Sequence, residues 1–252
     1  MSPSQSFTRN CLLAALSTED LNLMQPHLNR VSLRRNDVLA PPNEPIHQIY
    51  FPEAGIVSIV AIGPGDVRTE VGIFGREGMS SSVVLMETDR TPHETFVQVE
   101  VEGMTALAMP CATLIEVIEE SRTLRTKLLR YAHCLGLQVA TAVAALAALT
   151  TERRLARWLV MCHDRIDGDE IALTHEFMSM MLGTRRAGVT DALHVLEGQH
   201  LVRARRGLVT IRDRAGLIAL AGNSYGQSEV EYERLIGPLP RNALPEALRN
   251  RG

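Results

Sequence analysis

The chain has 252 residues, of which 45% are hydrophobic and 22% charged, with a formal net charge of −3. At about 100–200 residues per domain this is one large domain or two modest ones, with ample core and no need of a disulfide or metal staple. The ordinary balance excludes wholesale disorder and fibrous repeats.

The four cysteines, Cys11, Cys111, Cys134 and Cys162, are widely separated, which reads as small buried hydrophobes rather than a disulfide or cluster framework. No run reaches about 18 apolar residues, and the first ten residues lack a basic–apolar–small leader pattern, so the expected location is cytoplasmic, with no membrane partner. Charge is unevenly spread. Residues 1–113 carry 7 Arg and 13 Asp plus Glu, whereas residues 185–214 carry 7 Arg and 3 acidic residues. An acidic front and a basic stretch near the back suggest modules with different partners.

In chain order, Ser17 followed by Thr18, Glu19 and Asp20 predicts a capped short helix. Residues 30–110 then alternate in short segments, among them 47–51, 56–60, 70–73 and 95–101, punctuated by Pro41, Pro42, Gly63, Pro64, Gly65, Gly75 and Gly103. This predicts an antiparallel, jelly-roll-like β-roll over residues 1–113, serving as a sensor domain.

From residue 114 to 150 there is no proline, and apolar residues return at helical spacing. Val117, Leu124, Leu128, Tyr131, Leu135, Ala142 and Leu149 step by threes and fours, interrupted at Ser121 and Gln138. A helix this long, about 50 Å at 1.5 Å per residue, exceeds one small core. It is expected to dimerise through Leu124, Leu128, Tyr131, Leu135, Ala142 and Leu149.

Residues 151–222 predict a third module. An amphipathic helix carries Leu155, Trp158, Leu159 and Met161 and stops near Gly168. Thr174 caps a helix burying Phe177, Met178, Met181 and Leu182, Gly183 makes a turn, and a second helix covers about 185–197. Residues 201–211 then form a hairpin with a basic tip. Helix, turn, helix and basic wing outline a winged helix-turn-helix, giving an α+β fold overall. Thr184, Arg185, Arg186, Ala187, Thr190 and Asp191 lie near the start of the second helix, where a major groove would be read. Arg203, Arg205 and Arg206 lie on the wing, where phosphates would be met. Double-stranded DNA is the expected partner; the alternative is a non-DNA sensor or adaptor. Residues 223–252 predict a tail with a short helix on the winged domain and flexible final residues.

This order of modules resembles the Crp–Fnr superfamily of bacterial transcription regulators over nearly the whole chain. The resemblance is strongest in residues 152–159, 173–177, 182–190 and 206–211. It implies that the second helix reads the major groove, that Arg186 contacts a guanine, and that Ala187 and Asp191 occupy the other reading positions in place of Glu and Arg. It also implies a homodimer on a palindromic operator, RNA polymerase as a further partner, and an unidentified small-molecule effector. Cyclic-nucleotide members hold ribose and phosphate on a cassette that corresponds here to residues 75–101. Glu94 falls at the phosphate arginine's place, which disfavours a cyclic phosphate.

No cofactor and no metal are indicated. His27, His47 and His93 are isolated, and the neighbours His133–Cys134 and Cys162–His163 point in different directions on a helix. There is no HxH, GxSxG, HExxH or Walker loop, so no enzymatic activity is expected.

Overall fold

The computed structural model describes residues 7–240. Two short helices open it, α1 (Cys11–Ala14) and α2 (Thr18–Met24), the second capped as expected by the Ser17 hydroxyl, which accepts the Asp20 amide. Seven strands follow: β1 (Asn29–Ser32), β2 (Val38–Ala40), β3 (Gln48–Pro52), β4 (Ile56–Ile62), β5 (Arg68–Phe74), β6 (Glu94–Val99) and β7 (Thr105–Pro110). They form two antiparallel sheets, ordered β1-β7-β3 and β2-β6-β4-β5. The central strands are covered on both faces, as the unbroken buried runs Thr95–Val99 of β6 and Ala106–Met109 of β7 require, since successive side chains point to opposite sides.

The long helix departs from expectation in two ways. It is broken into α3 (Cys111–Glu120) and α4 (Arg122–Ala148). At Ser121 the backbone is extended (φ −127°, ψ 110°), and the serine hydroxyl accepts the Leu124 amide, capping a new helix. The interruption in the apolar pattern at Ser121 marks this break.

The expected dimer seam is also corrected. Leu124 and Leu128 are 0% exposed and Tyr131 is 3% exposed, packed with Leu12, Phe51, Met79 and Leu107 of the front domain. Leu135 packs partly on the same cluster, while Ala142 and Leu149 are half-buried. Gln138 breaks the seam for a physical reason. Its amide accepts from the Ile73 N–H at 2.8 Å and donates to the Ile73 carbonyl at 3.1 Å, closing the free edge of β5. The first half of the stripe, from Leu124 to Leu135, is therefore the face on which α4 lies against its own roll, while Ala142 and Leu149 lie outside that cluster. Rotated by about one residue, or 100°, the outward face shows Leu129 at 38%, Val143 at 60% and Leu146 at 51% exposure. Among the described residues α4 is long and apolar enough to cross a membrane by length and composition alone.

Behind α4 come α5 (Thr151–His163), β8 (Glu170–Ala172), α6 (His175–Met181), α7 (Arg186–Gly198), β9 (Val202–Arg205), β10 (Leu208–Ile211), α8 (Arg214–Ala221) and α9 (Gln227–Leu235). The hairpin is joined by β8, giving a three-stranded wing ordered β8-β10-β9. The tail helix is also corrected. Instead of lying on the winged domain alone, α9 packs chiefly on α4 and the roll: Tyr232 is buried and its hydroxyl donates to the Glu77 carbonyl at 2.8 Å, and Ile236 and Leu239 join the roll core, while Val230 near its start meets the cluster that holds the winged helices. An apolar stripe seeks the nearest uncovered apolar surface, whichever module supplies it. The expectation of a flexible end falls on residues 241–252, outside the described residues.

Candidate nucleic-acid interface

The helix-turn-helix is assembled from local signals. Thr174 accepts the Phe177 amide and starts α6. Gly183 takes φ +55°, a left-handed conformation that glycine adopts without strain, and turns the chain into α7. The Arg154 guanidinium donates to the Leu182 carbonyl at 2.7 Å, fastening the turn to α5. Along α7, Val189, Ala192, Leu193 and Leu196 are buried at helical spacing. This leaves Arg185, Arg186, Ala187 and Asp191 exposed, with Thr184 and Thr190 half-buried.

The wing follows. Gly207 at φ +73° closes the hairpin, and Arg203, Arg205 and Arg206 are exposed. Arg186, Arg205 and Arg206 line one open groove between α7 and the wing. Among the described residues, the ion pairs engage none of Arg185, Arg186, Arg203, Arg205 and Arg206. Their charge is available to a polyanion.

Three groove residues were missed by sequence reasoning. Glu197 accepts the Ala204 amide at 2.8 Å, which sets the wing against the end of α7. His175 places Nδ1 3.2 Å from the Thr190 hydroxyl, and His194 is exposed on the same wall. The i, i+4 spacing of Arg186, Thr190 and His194 was the available signal. The Thr190 hydroxyl, expected to point outward, is engaged within the protein, since it also donates to the Arg186 carbonyl at 3.1 Å.

The turn that begins the cassette segment is held by the chain's own side chains. In the Gly75–Gly78 turn, the Gly75 amide donates to the Glu77 carboxylate at 3.0 Å. The same carboxylate accepts from Arg165 Nε at 2.8 Å, and each side chain of the pair is only 5% exposed. The Tyr131 ring rests on Gly78 so closely that a Cβ there would lie 2.4 Å from its oxygen. Glu94, at the head of β6, is paired with Arg68 of β5. Among the described residues no three His, Cys, Asp or Glu gather as a metal-binding set.

Arg165 belongs to the winged half, so Glu77 is one tie between the halves. Glu70 of β5 is another. Its carboxyl accepts from Trp158 Nε1 of α5 at 2.6 Å and lies 2.7 Å from the Ser58 hydroxyl, which is itself 2.6 Å from Gln98 Oε1. Phe177 packs edge-on against Phe96 close by. One hydroxyl proton serves only one of two acceptors. With the Gln98 oxygen facing Ser58, a proton on Glu70 completes the chain from Glu70 through Ser58 to Gln98; with its Nε2 turned there, Glu70 is ionised.

Burial pushes the Glu70 carboxyl up to about 8, against the opposing pull of the Ser58 and Trp158 hydrogen bonds and of Arg165 and Arg157. A raised carboxyl contributes stability that is full below its unfolded value and lost as pH rises through its folded value. Glu70→Gln reproduces the protonated pattern at every pH. We expect the difference in urea midpoint between Glu70→Gln and wild type to grow in favour of glutamine from about pH 5 to 8. A difference that is flat across that range refutes a proton on Glu70.

A helix-turn-helix with a three-stranded wing, carried behind a long helix on an antiparallel roll, is the architecture of a DNA-binding protein with an attached front domain. Residues 153–220 match the Crp-like helix-turn-helix domain. The chain is Crp/Fnr-like in that domain and in its fold.

Solved structures sharing the fold include a transcriptional regulator described as of the Crp/Fnr family from Eubacterium rectale, at 17% identity and TM-score 0.64, covering 83% of this chain and 97% of that one. FixK2 from Bradyrhizobium japonicum aligns at 15% identity and TM-score 0.64, covering 77% and 98%. A CRP-family transcriptional regulator from Thermus thermophilus aligns at 18% identity and TM-score 0.62, covering 77% and 97%. Comparison with curated proteins returned no match.

Proposed function

We propose that this chain is a homodimeric, sequence-specific transcription regulator that binds a palindromic operator and acts with RNA polymerase as a further partner. The observation carrying this reading is the groove between α7 and the wing, where Arg186 at the start of α7 faces Arg205 and Arg206. A second copy of the chain is assigned to the outward face of α4. Leu129, Gly136, Val143 and Leu146 are exposed there at helical spacing, flanked by Ala132 and Val139, which also touch the roll. A Cβ at Gly136 would meet nothing within 4 Å, so this face is open for a close approach. Two recognition helices on one duplex require half-sites about 10–10.5 base pairs apart.

The front domain is assigned the receipt of a signal other than cyclic AMP. Supporting this, the Glu77 carboxylate and the Gly75 amide satisfy one another and Arg165. The chain acts by binding and not by catalysis.

Competition binding on a randomised duplex library at two salt concentrations tests the DNA-binding reading. Arg186→Ala should cost roughly 1–3 kcal/mol per base contact and relax preference at one position of each half-site. Arg205→Ala or Arg206→Ala should weaken all sequences alike and lower the salt slope by about 0.9 for each phosphate no longer neutralised. The assignment fails if Arg205→Ala alters base preference and Arg186→Ala does not.

A further inference from the structure

We propose that duplex binding by this chain is proton-linked, with His175 and His194 taking up protons as they meet the phosphate backbone. The inference rests on the DNA-binding reading above. It begins from hydrogen-bond bookkeeping. The Thr190 hydroxyl donates its one proton to the Arg186 carbonyl, so it accepts from His175, whose Nδ1 therefore carries the hydrogen. The second ring nitrogen, Nε2, is left as the protonatable edge of a residue lining the groove. His194 stands one helical turn beyond Thr190 on the same wall and is exposed.

The charged groups around these rings come from three elements. Arg186 and Glu197 belong to α7, Glu176 to α6, and Arg205 and Arg206 to the wing. Glu197 is turned toward the Ala204 amide. Three arginines against two carboxylates leave this groove with a small positive balance while both histidines are neutral. A neutral Nε2 presents a lone pair to a phosphate oxygen, whereas a protonated one donates a hydrogen bond to it. Duplex DNA brings one negative charge per about 1.7 Å of axis, so binding favours the imidazolium forms. Histidine is the side chain whose charge changes in the neutral pH range, and the test is made there.

The test is fluorescence anisotropy of the full chain with a mixed-sequence duplex of about 30 base pairs, long enough for two half-sites. Between about pH 6 and 8, wild-type affinity should fall roughly tenfold for each histidine whose value rises by one unit on binding. His175→Asn keeps a donor at the Nδ1 place without a titrating ring. Combined with His194→Gln it should hold affinity within about threefold across that range. His194→Gln alone, at an exposed site that cannot harm the fold, should remove part of the slope. His200→Asn, at an exposed left-handed turn outside the groove lining, should keep the wild-type slope. A flat wild-type profile, or an unchanged slope in the double variant, overturns the proposal. Absence of binding at any pH overturns the DNA-binding reading itself, and the proposal with it.

Discussion

A chain carrying Leu129→Glu and Val143→Glu is expected to scatter light as a monomer and to bind its operator about 10²–10⁴-fold more weakly. The loss of affinity is that of a bivalent contact made monovalent. Both side chains are exposed in the single chain, so the fold should stay within about 0.5 kcal/mol of wild type. Leu128→Ala supplies the contrast one residue away. Leu128 is 0% exposed among the roll's own core residues, so its truncation should cost about 2–5 kcal/mol while the folded fraction remains dimeric. If the double glutamate variant stays dimeric, the second copy does not sit on this face of α4.

Removing Arg165 should be the most damaging single truncation at the junction of the two halves. Arg165→Ala leaves the Glu77 carboxylate buried and facing only the Gly75 amide, and it also removes a donor from the Met161 carbonyl. Breaking a buried pair in this way costs about 3–5 kcal/mol. Because Glu77 lies on the roll and Arg165 beyond α5, urea unfolding of this variant should lose cooperativity as well as midpoint, with fluorescence of Trp158 and far-ultraviolet dichroism separating. The double replacement Glu77→Gln with Arg165→Met should recover part of the loss, since it leaves no lone buried charge. A loss below about 1 kcal/mol in Arg165→Ala would show that the pair does not hold the halves together.

The helix-turn-helix was the most legible part of the molecule because its determinants are local. The Thr174 cap, the turn at Gly183 and the buried stripe of Val189, Leu193 and Leu196 each act within a few residues of one another. Short apolar segments between glycines and prolines likewise marked the strands of the roll, although its central strands are buried on both faces. The partners of Glu77 and Glu70 had no such signal. Arg165 and Trp158 each lie 88 residues away from them, and nothing in the intervening pattern announces the pairing.

What the sequence by itself determined is therefore the succession of elements and the gathering of arginines along α7 and the wing: local hydrogen bonds, a period of two or 3.6, and basic residues placed near one another along the chain. Only the tertiary structure decided which way each apolar stripe faces. The stripe from Leu124 to Leu149 satisfies a coiled-coil repeat, yet its first half meets the roll, and Gln138 plugs the edge of β5. Helical periodicity says that a face is buried and is silent on what buries it, because apolar burial is non-directional and depends only on area removed from water. The same indifference sent α9 to the roll and to α4, where Tyr232 found the Glu77 carbonyl.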